Sequence, residues 1–199
     1  LRLSTMAYSI KDVFYLSTEA TITSGTSNGG SAQLDLSAYI DPIARGRTRG
    51  TGLAVYKAYF SMGQASDGEP IDDAEVGTCR FALQAGLGIG DQITGAITTP
   101  TASYSMTNAL LVASGDFYGP KSMIANANTP VTMINGTPET QYVSPSKDVP
   151  YVIVRDNVCL TYEVGDQFTA NHVLSVRLEC AQVTLDQATL NQLLRTQTV

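Results

Sequence analysis

The chain has no tryptophan and a single histidine, His172, among its 199 residues. Histidine is the side chain whose unperturbed pKa suits proton transfer near neutral pH, so acid–base chemistry has little material here. No GxSxG or HExxH motif occurs, and no paired carboxylates sit on a recognisable scaffold. A lone histidine after Ala170-Asn171 reads as a turn or packing residue, and the chain as no enzyme. The three cysteines, Cys79, Cys159 and Cys180, form no CxxC or Cys/His pair, which disfavours zinc. Cys79 and Cys180 fall in apolar strand register, where a free thiol acts as a small hydrophobe.

Charge is also scarce. Asp, Glu, Lys and Arg make up 15% of the chain, against about 25% in an average soluble protein. Ser, Thr, Asn and Gln fill the gap. Such an exterior suits surfaces that neighbours will cover, because burying a hydroxyl costs far less than burying a charge. The net charge is −6 and no Lys/Arg-rich tail is present, which argues against nonspecific phosphate binding over the whole surface. Nothing reads as a signal peptide, and no run approaches the 18 or more apolar residues of a membrane-spanning helix. Asn135-Gly136-Thr137 fits a glycosylation pattern but reads equally as an Asn-Gly turn. The chain opens at Leu1 with Met6 as an alternative start, so a basic arm is expected, if anywhere, upstream.

What the chain does have is strand periodicity. Ten segments read as strands: 8–22, 33–40, 53–62, 78–85, 92–98, 104–113, 131–134, 151–155, 158–164 and 173–185. In 78–85, Cys79, Phe81, Leu83 and Ala85 share one face and Arg80 and Gln84 the other. Segments 151–155 and 158–164 flank Asp156-Asn157, which predicts a two-residue β-hairpin. In 173–185 the apolar register moves from Leu174, Val176, Leu178 and Cys180 to Val183 and Leu185, which predicts a bulge near Ala181-Gln182. Segment 53–62 is apolar on both faces and is expected to be covered on both. The tyrosines mostly fall in registers that suit a core. Residues 114–150 are weakly patterned, as functional or contact segments often are.

One helix stands out. Asp186 can cap it, and Leu190, Leu193 and Leu194 form a narrow apolar stripe. About ten residues are too few to stay helical alone, so the segment must dock on something. A second, short helix is expected near 66–75. Many strands, almost no helix and no βαβ alternation predict one all-β domain over 1–199, an eight-stranded jelly-roll β-sandwich with a short C-terminal helix.

Three clusters are candidate sites. Gly86-Leu87-Gly88-Ile89-Gly90 matches neither GxGxxG nor the P-loop and opens no helix, so it reads as a strand exit rather than a phosphate cradle. Asp67, Glu69, Asp72, Asp73 and Glu75 place five carboxylates in nine residues without an EF-hand spacing; they read as a solvated or contact patch, with calcium as the lesser alternative. Arg45, Arg47 and Arg49 alternate between glycines and give three guanidiniums that can reach one carboxylate- or phosphate-rich target. The two expectations for them are a contact with a neighbour's acidic loop, such as 67–75, and contact with nucleic acid.

The layout resembles the single jelly-roll major capsid proteins of small icosahedral viruses. The resemblance rests on a strand ending at Asp41-Pro42, the apolar run Leu53-Ala-Val-Tyr-Lys-Ala-Tyr-Phe60 after the arginine loop, a long Ser/Thr/Gly/Asn-rich middle, and the closing strand Leu174-Ser-Val-Arg-Leu-Glu-Cys180. It covers most of the chain by pattern and not by a diagnostic motif. It implies a virion protein without cofactor, metal or small-molecule substrate, whose partners are copies of itself in a symmetric shell, through edge strands and loops. Packaged nucleic acid or an internal membrane are the further partners it implies. The chain departs from the resemblance in showing no arginine-rich N-terminal arm. The alternative reading is a carbohydrate- or ligand-binding β-sandwich of a virion or cell-surface appendage.

Overall fold

The computed structural model describes residues 13–27, 29–41, 49–72, 74–86, 106, 108–120 and 139–197, with 139–142 as backbone alone. These contain nine strands and one helix: β1 (Phe14–Ile22), β2 (Gly30–Asp35), β3 (Arg49–Gln64), β4 (Thr78–Ala85), β5 (Leu111–Tyr118), β6 (Glu139–Val143), β7 (Tyr151–Ile153), β8 (Asn157–Val164), β9 (His172–Asp186) and α1 (Gln187–Thr196).

One sheet runs β1-β9-β3-β7 and the other β2-β8-β4-β5-β6. Every pairing is antiparallel. The pairs β1:β9, β2:β8, β3:β7 and β4:β5 nest inside one another, as if one long hairpin had been rolled into a barrel. That is the jelly roll, eight strands in two sheets. The ninth strand, β6, lengthens the second sheet at the outer edge of β5. The inner faces meet in one core, in which Phe81 packs on Phe60 at 4.3 Å and on Phe117 at 5.1 Å between ring centroids. Cys79 and Cys180 belong to it, as their register indicated.

β3 and β9 explain the two-sided apolar pattern. Val55 pairs with Cys180 and Lys57 with Glu179, so the bulge lies at Tyr56 on β3 and not near Ala181-Gln182. Before it Leu53 and Val55 face the core; after it Ala58, Phe60 and Met62 do. β9 keeps its phase throughout. Ala181, Val183 and Leu185 lie on its outer face and form a second core with Ala54, Tyr56, Val154 and Leu190 of α1. The apparent change of register was therefore the footprint of the docked helix. Asp186 caps α1 by accepting from the Thr189 N–H at 2.7 Å.

Other expectations are corrected. The strand expected over 33–40 is β2, which ends where the Asp35 carboxylate turns the chain by accepting from the Ser37 N–H. That expected over 104–113 is β5, which starts only after Asn108 accepts from the Leu110 N–H. β6 had no forecast. The β7–β8 hairpin does not form: β7 pairs with β3 and β8 with β2 and β4, so residues 154–156 cross between sheets. No helix forms over the described residues of 66–75, because Asp67 and Asp72 each bond a backbone N–H two residues on. Segments 92–98, 131–134 and residues 8–12 of the first lie outside the described residues.

Loops gather at two ends. At one, Gly25 N–H donates to Phe168 O, Ala65 N–H to Asn171 O and Gly119 N–H to Gly77 O. At the other, Asp41 bridges Thr51, Gly86 N–H donates to Asn157 O, and Arg49 pairs with Asp186 beside α1. Gly86 has φ +83, a backbone that favours glycine at this strand exit.

Candidate contact surfaces

Reactive groups are sealed away from the surface. His172 is fully buried; its Nδ1 lies 2.8 Å from Ala170 O, its ring packs on Phe168, and its Nε2 has no partner among the described residues. All three cysteines are buried and free. Burial raises the Cys159 thiol to about 11 and Cys180 to about 12, and raises Cys79 further still. Among the described residues no three His, Cys, Asp or Glu side chains gather to hold a metal.

Of the arginine cluster, Arg49 opens β3 at the α1 end, while Arg45 and Arg47 fall outside the described residues. Its cross-strand partner Asp186 has its pKa lowered by the Thr189 backbone first, with a smaller contribution from Arg49. Of the acidic cluster, Asp67, Glu69 and Asp72 are exposed, and Asp73 lies outside the described residues. Glu75 differs from its neighbours. It is buried and accepts from the N–H groups of Val76, Gly77 and Thr169 and from the Thr169 hydroxyl. Asp67 and Glu69 follow β3 at the end opposite Arg49. Sixteen residues of strand separate those ends, about 50 Å at 3.3 Å per residue. Arg49 therefore does not meet Asp67 or Glu69 within one molecule.

A third surface was not singled out by sequence reasoning. On the outer face of β1, β9 and β3, Tyr15 lies opposite Glu179, which lies opposite Lys57; Ser17 lies opposite Arg177, and Arg177 opposite Tyr59. Tyr15 is 58% exposed and Tyr59 40%, contrary to the core register expected for most tyrosines. For Tyr59 the missing signal was the bulge, which turns the residues after it over. The Tyr59 hydroxyl donates to Glu179 Oε2 at 3.1 Å, which raises its pKa. Lys147 Nζ stands 3.3 Å from Glu179 Oε1, and Lys57 Nζ lies 4.6 Å from the Tyr59 ring centroid. A shallow groove runs between Tyr15 and Tyr59, floored by Ser175 and Arg177.

These strands and surfaces define a jelly-roll β-sandwich with three solvent-facing features and no assembled reactive centre among the described residues. No family model and no curated protein matches the sequence. Among solved structures, the chain is similar to Merkel cell polyomavirus VP1 in complex with disialyllactose, at 10% identity and TM-score 0.39, over 87% of this chain and 96% of that one. It is also similar to trichodysplasia spinulosa-associated polyomavirus VP1 in complex with GM1 oligosaccharide, at 8% identity and TM-score 0.34, over 86% and 94% of the two chains.

Proposed function

We propose that this protein is a capsid-type structural subunit, one jelly-roll domain over 1–199, that builds a closed viral shell from copies of itself and catalyses nothing. The observation that carries the reading is the polarity of the sandwich. An arginine-bearing segment ends at Arg49 at one end, and the exposed Asp67 and Glu69 stand at the other, about 50 Å away. Complementary charges that cannot meet within a molecule can meet between molecules. Such a contact is heterologous, and heterologous contacts form rings when the rotation closes. Low overall charge supports the reading, since neighbours can cover such a surface cheaply. At a net −6 the shell relies on protein–protein contacts, with packaged nucleic acid or a membrane left to other components.

The test is the triple substitution Arg45→Ala, Arg47→Ala and Arg49→Ala, followed by negative-stain microscopy and circular dichroism. The expected outcome is a folded chain with particle yield strongly reduced. Unchanged yield would count against the arginine contact, and a wild-type chain that stays monomeric at high concentration would sink the shell. A second reading, a carbohydrate-binding module, draws on the exposed rings of Tyr15 and Tyr59. Glycan binding by a stable monomer would mark it.

A further inference from the structure

Large apolar side chains are exposed at five described positions, Val13, Tyr15, Tyr59, Met106 and Val149. Tyr15 and Tyr59 lie on the outer face of the β1-β9-β3 strands, Val13 immediately precedes β1, and Val149 stands in the loop that Lys147 ties to that face. Tyrosine and arginine at the centre with lysines and carboxylates around them is the composition of a protein contact, where aromatic and Arg side chains carry most of the energy. The opposite half of β9's outer face is already covered by α1, so the exposed half is a separate surface.

Its charges are the second observation. Glu179 is satisfied by Lys147 and Tyr59. Glu19 and Arg177 occupy diagonal positions on β1 and β9, and among the described residues neither forms an ion pair, although the Arg177 guanidinium lies 6.0 Å from the Tyr15 ring centroid. A face that holds a carboxylate, Glu19, and the cations Arg177 and Lys57 without ion-pair partners among the described residues is complementary to itself. In an isologous contact a residue i that meets j of the other copy is matched by j meeting i, so Arg177 of one can meet Glu19 of the other in both directions.

We infer that this face is a two-fold contact with a second copy of the chain, distinct from the end-to-end contact of the arginine and acidic loops. The inference rests on the shell reading and names one of its interfaces. Three strands about 4.8 Å apart over nine residues offer roughly 450 Å² a side, about half the usual 800 Å². One such contact is weak alone and gains strength by repetition around a shell.

The experiment is sedimentation velocity of the full chain over a wide concentration range, with particle yield by microscopy in parallel. Arg177→Glu and Glu19→Lys, each alone, are expected to weaken self-association roughly tenfold or more, and the double exchange to restore it. The pair Tyr15→Ser and Tyr59→Ser is expected to weaken it as strongly, with circular dichroism unchanged. Because the two positions are also neighbours within one chain, the deciding result is association of Arg177→Glu chains with Glu19→Lys chains on mixing, which a change inside one molecule cannot mimic. If the single exchanges and the tyrosine pair all leave association unchanged, the face is not an interface; if particles still form, the shell reading stands without it. If the wild-type chain never associates, both readings fall. If the monomer binds glycans and the tyrosine pair abolishes that binding, the face belongs to a sugar and the inference is overturned.

Discussion

Thr169 donates twice to the carboxylate of Glu75, from its backbone N–H at 3.0 Å and from its hydroxyl at 2.8 Å to Oε2. Glu75 precedes β4 and Thr169 precedes β9, so the pair fastens together two loops that each cross from one sheet to the other. Burial pushes the Glu75 carboxyl up, and the hydrogen bonds from Thr169, Gly77 and Val76 outweigh it, leaving the pKa below its ordinary 4.5.

The group's stabilisation is therefore present above the unfolded-state pKa and is lost as pH falls through the lower, folded-state value. Urea unfolding measured from neutral pH downward is expected to show stability falling below about 4.5 in the wild type. Glu75→Gln should flatten that fall. Glu75→Ala is expected to cost about 3 kcal/mol at neutral pH, because buried donors lose a charged acceptor. Identical pH profiles for wild type and Glu75→Gln would remove the clamp from the account.

Native thiols are expected to be inert. Cys159 and Cys180 are raised to about 11 and about 12 by burial, and Cys79 is raised further, so almost no thiolate exists at mildly alkaline pH. A disulfide reagent should titrate no thiol in the folded chain and all 3 after denaturation. Rapid reaction of one of them in the native state would contradict the burial described.

Gln197 closes an open sheet edge. Its carboxamide accepts from Val154 N–H at 3.1 Å and donates to Val152 O at 2.6 Å, while its own carbonyl accepts from Arg155 Nε at 2.8 Å. A side chain thus takes the place of the strand that β7 lacks on that side. Gln197→Ala is expected to cost about 2 kcal/mol and to speed amide exchange at Val154. Exchange at the wild-type rate would mean that the edge is protected by something else.

Two glycine substitutions should separate. A Cβ at Gly119 would lie 2.4 Å from Glu75 O and 2.7 Å from its carbonyl carbon, backbone atoms with nowhere to go. At Gly50 the nearest atom, at 2.6 Å, is a methyl of Leu190 at the end of a side chain. Gly119→Ala is expected to lose about 3 kcal/mol or more, and Gly50→Ala about 1–2. Thermal unfolding that ranks them the other way would place the rigid contact under α1.

Fold class was legible because alternation is a local signal. β4 matches its forecast, β8 nearly so, and the α1 stripe and its Asp186 cap were readable from residue spacing. What alternation does not carry is partnership. Nothing local says that Ile153 and Val158, five positions apart, belong to different sheets. Nor could the shift of β9's apolar residues to its outer face be told from a bulge without knowing that α1 returns to cover it. Of the candidate contact residues, Arg49, Asp67 and Glu69 were singled out by charge clustering. Glu75 looked like its neighbours until burial separated it, and Tyr15 and Tyr59 needed the strand order to become neighbours of Arg177.

β9 sits between β1 and β3, joining Phe14 to Cys180 and Arg49 to Asp186. During synthesis neither β1 nor the second edge of β3 has its partner until β9, the last of the described strands, has been made. Tyr15 and Tyr59 share no surface before then. An unfinished chain therefore keeps the facing edges of β1 and β3 open until β9 arrives, and that interval is when it is most prone to aggregate.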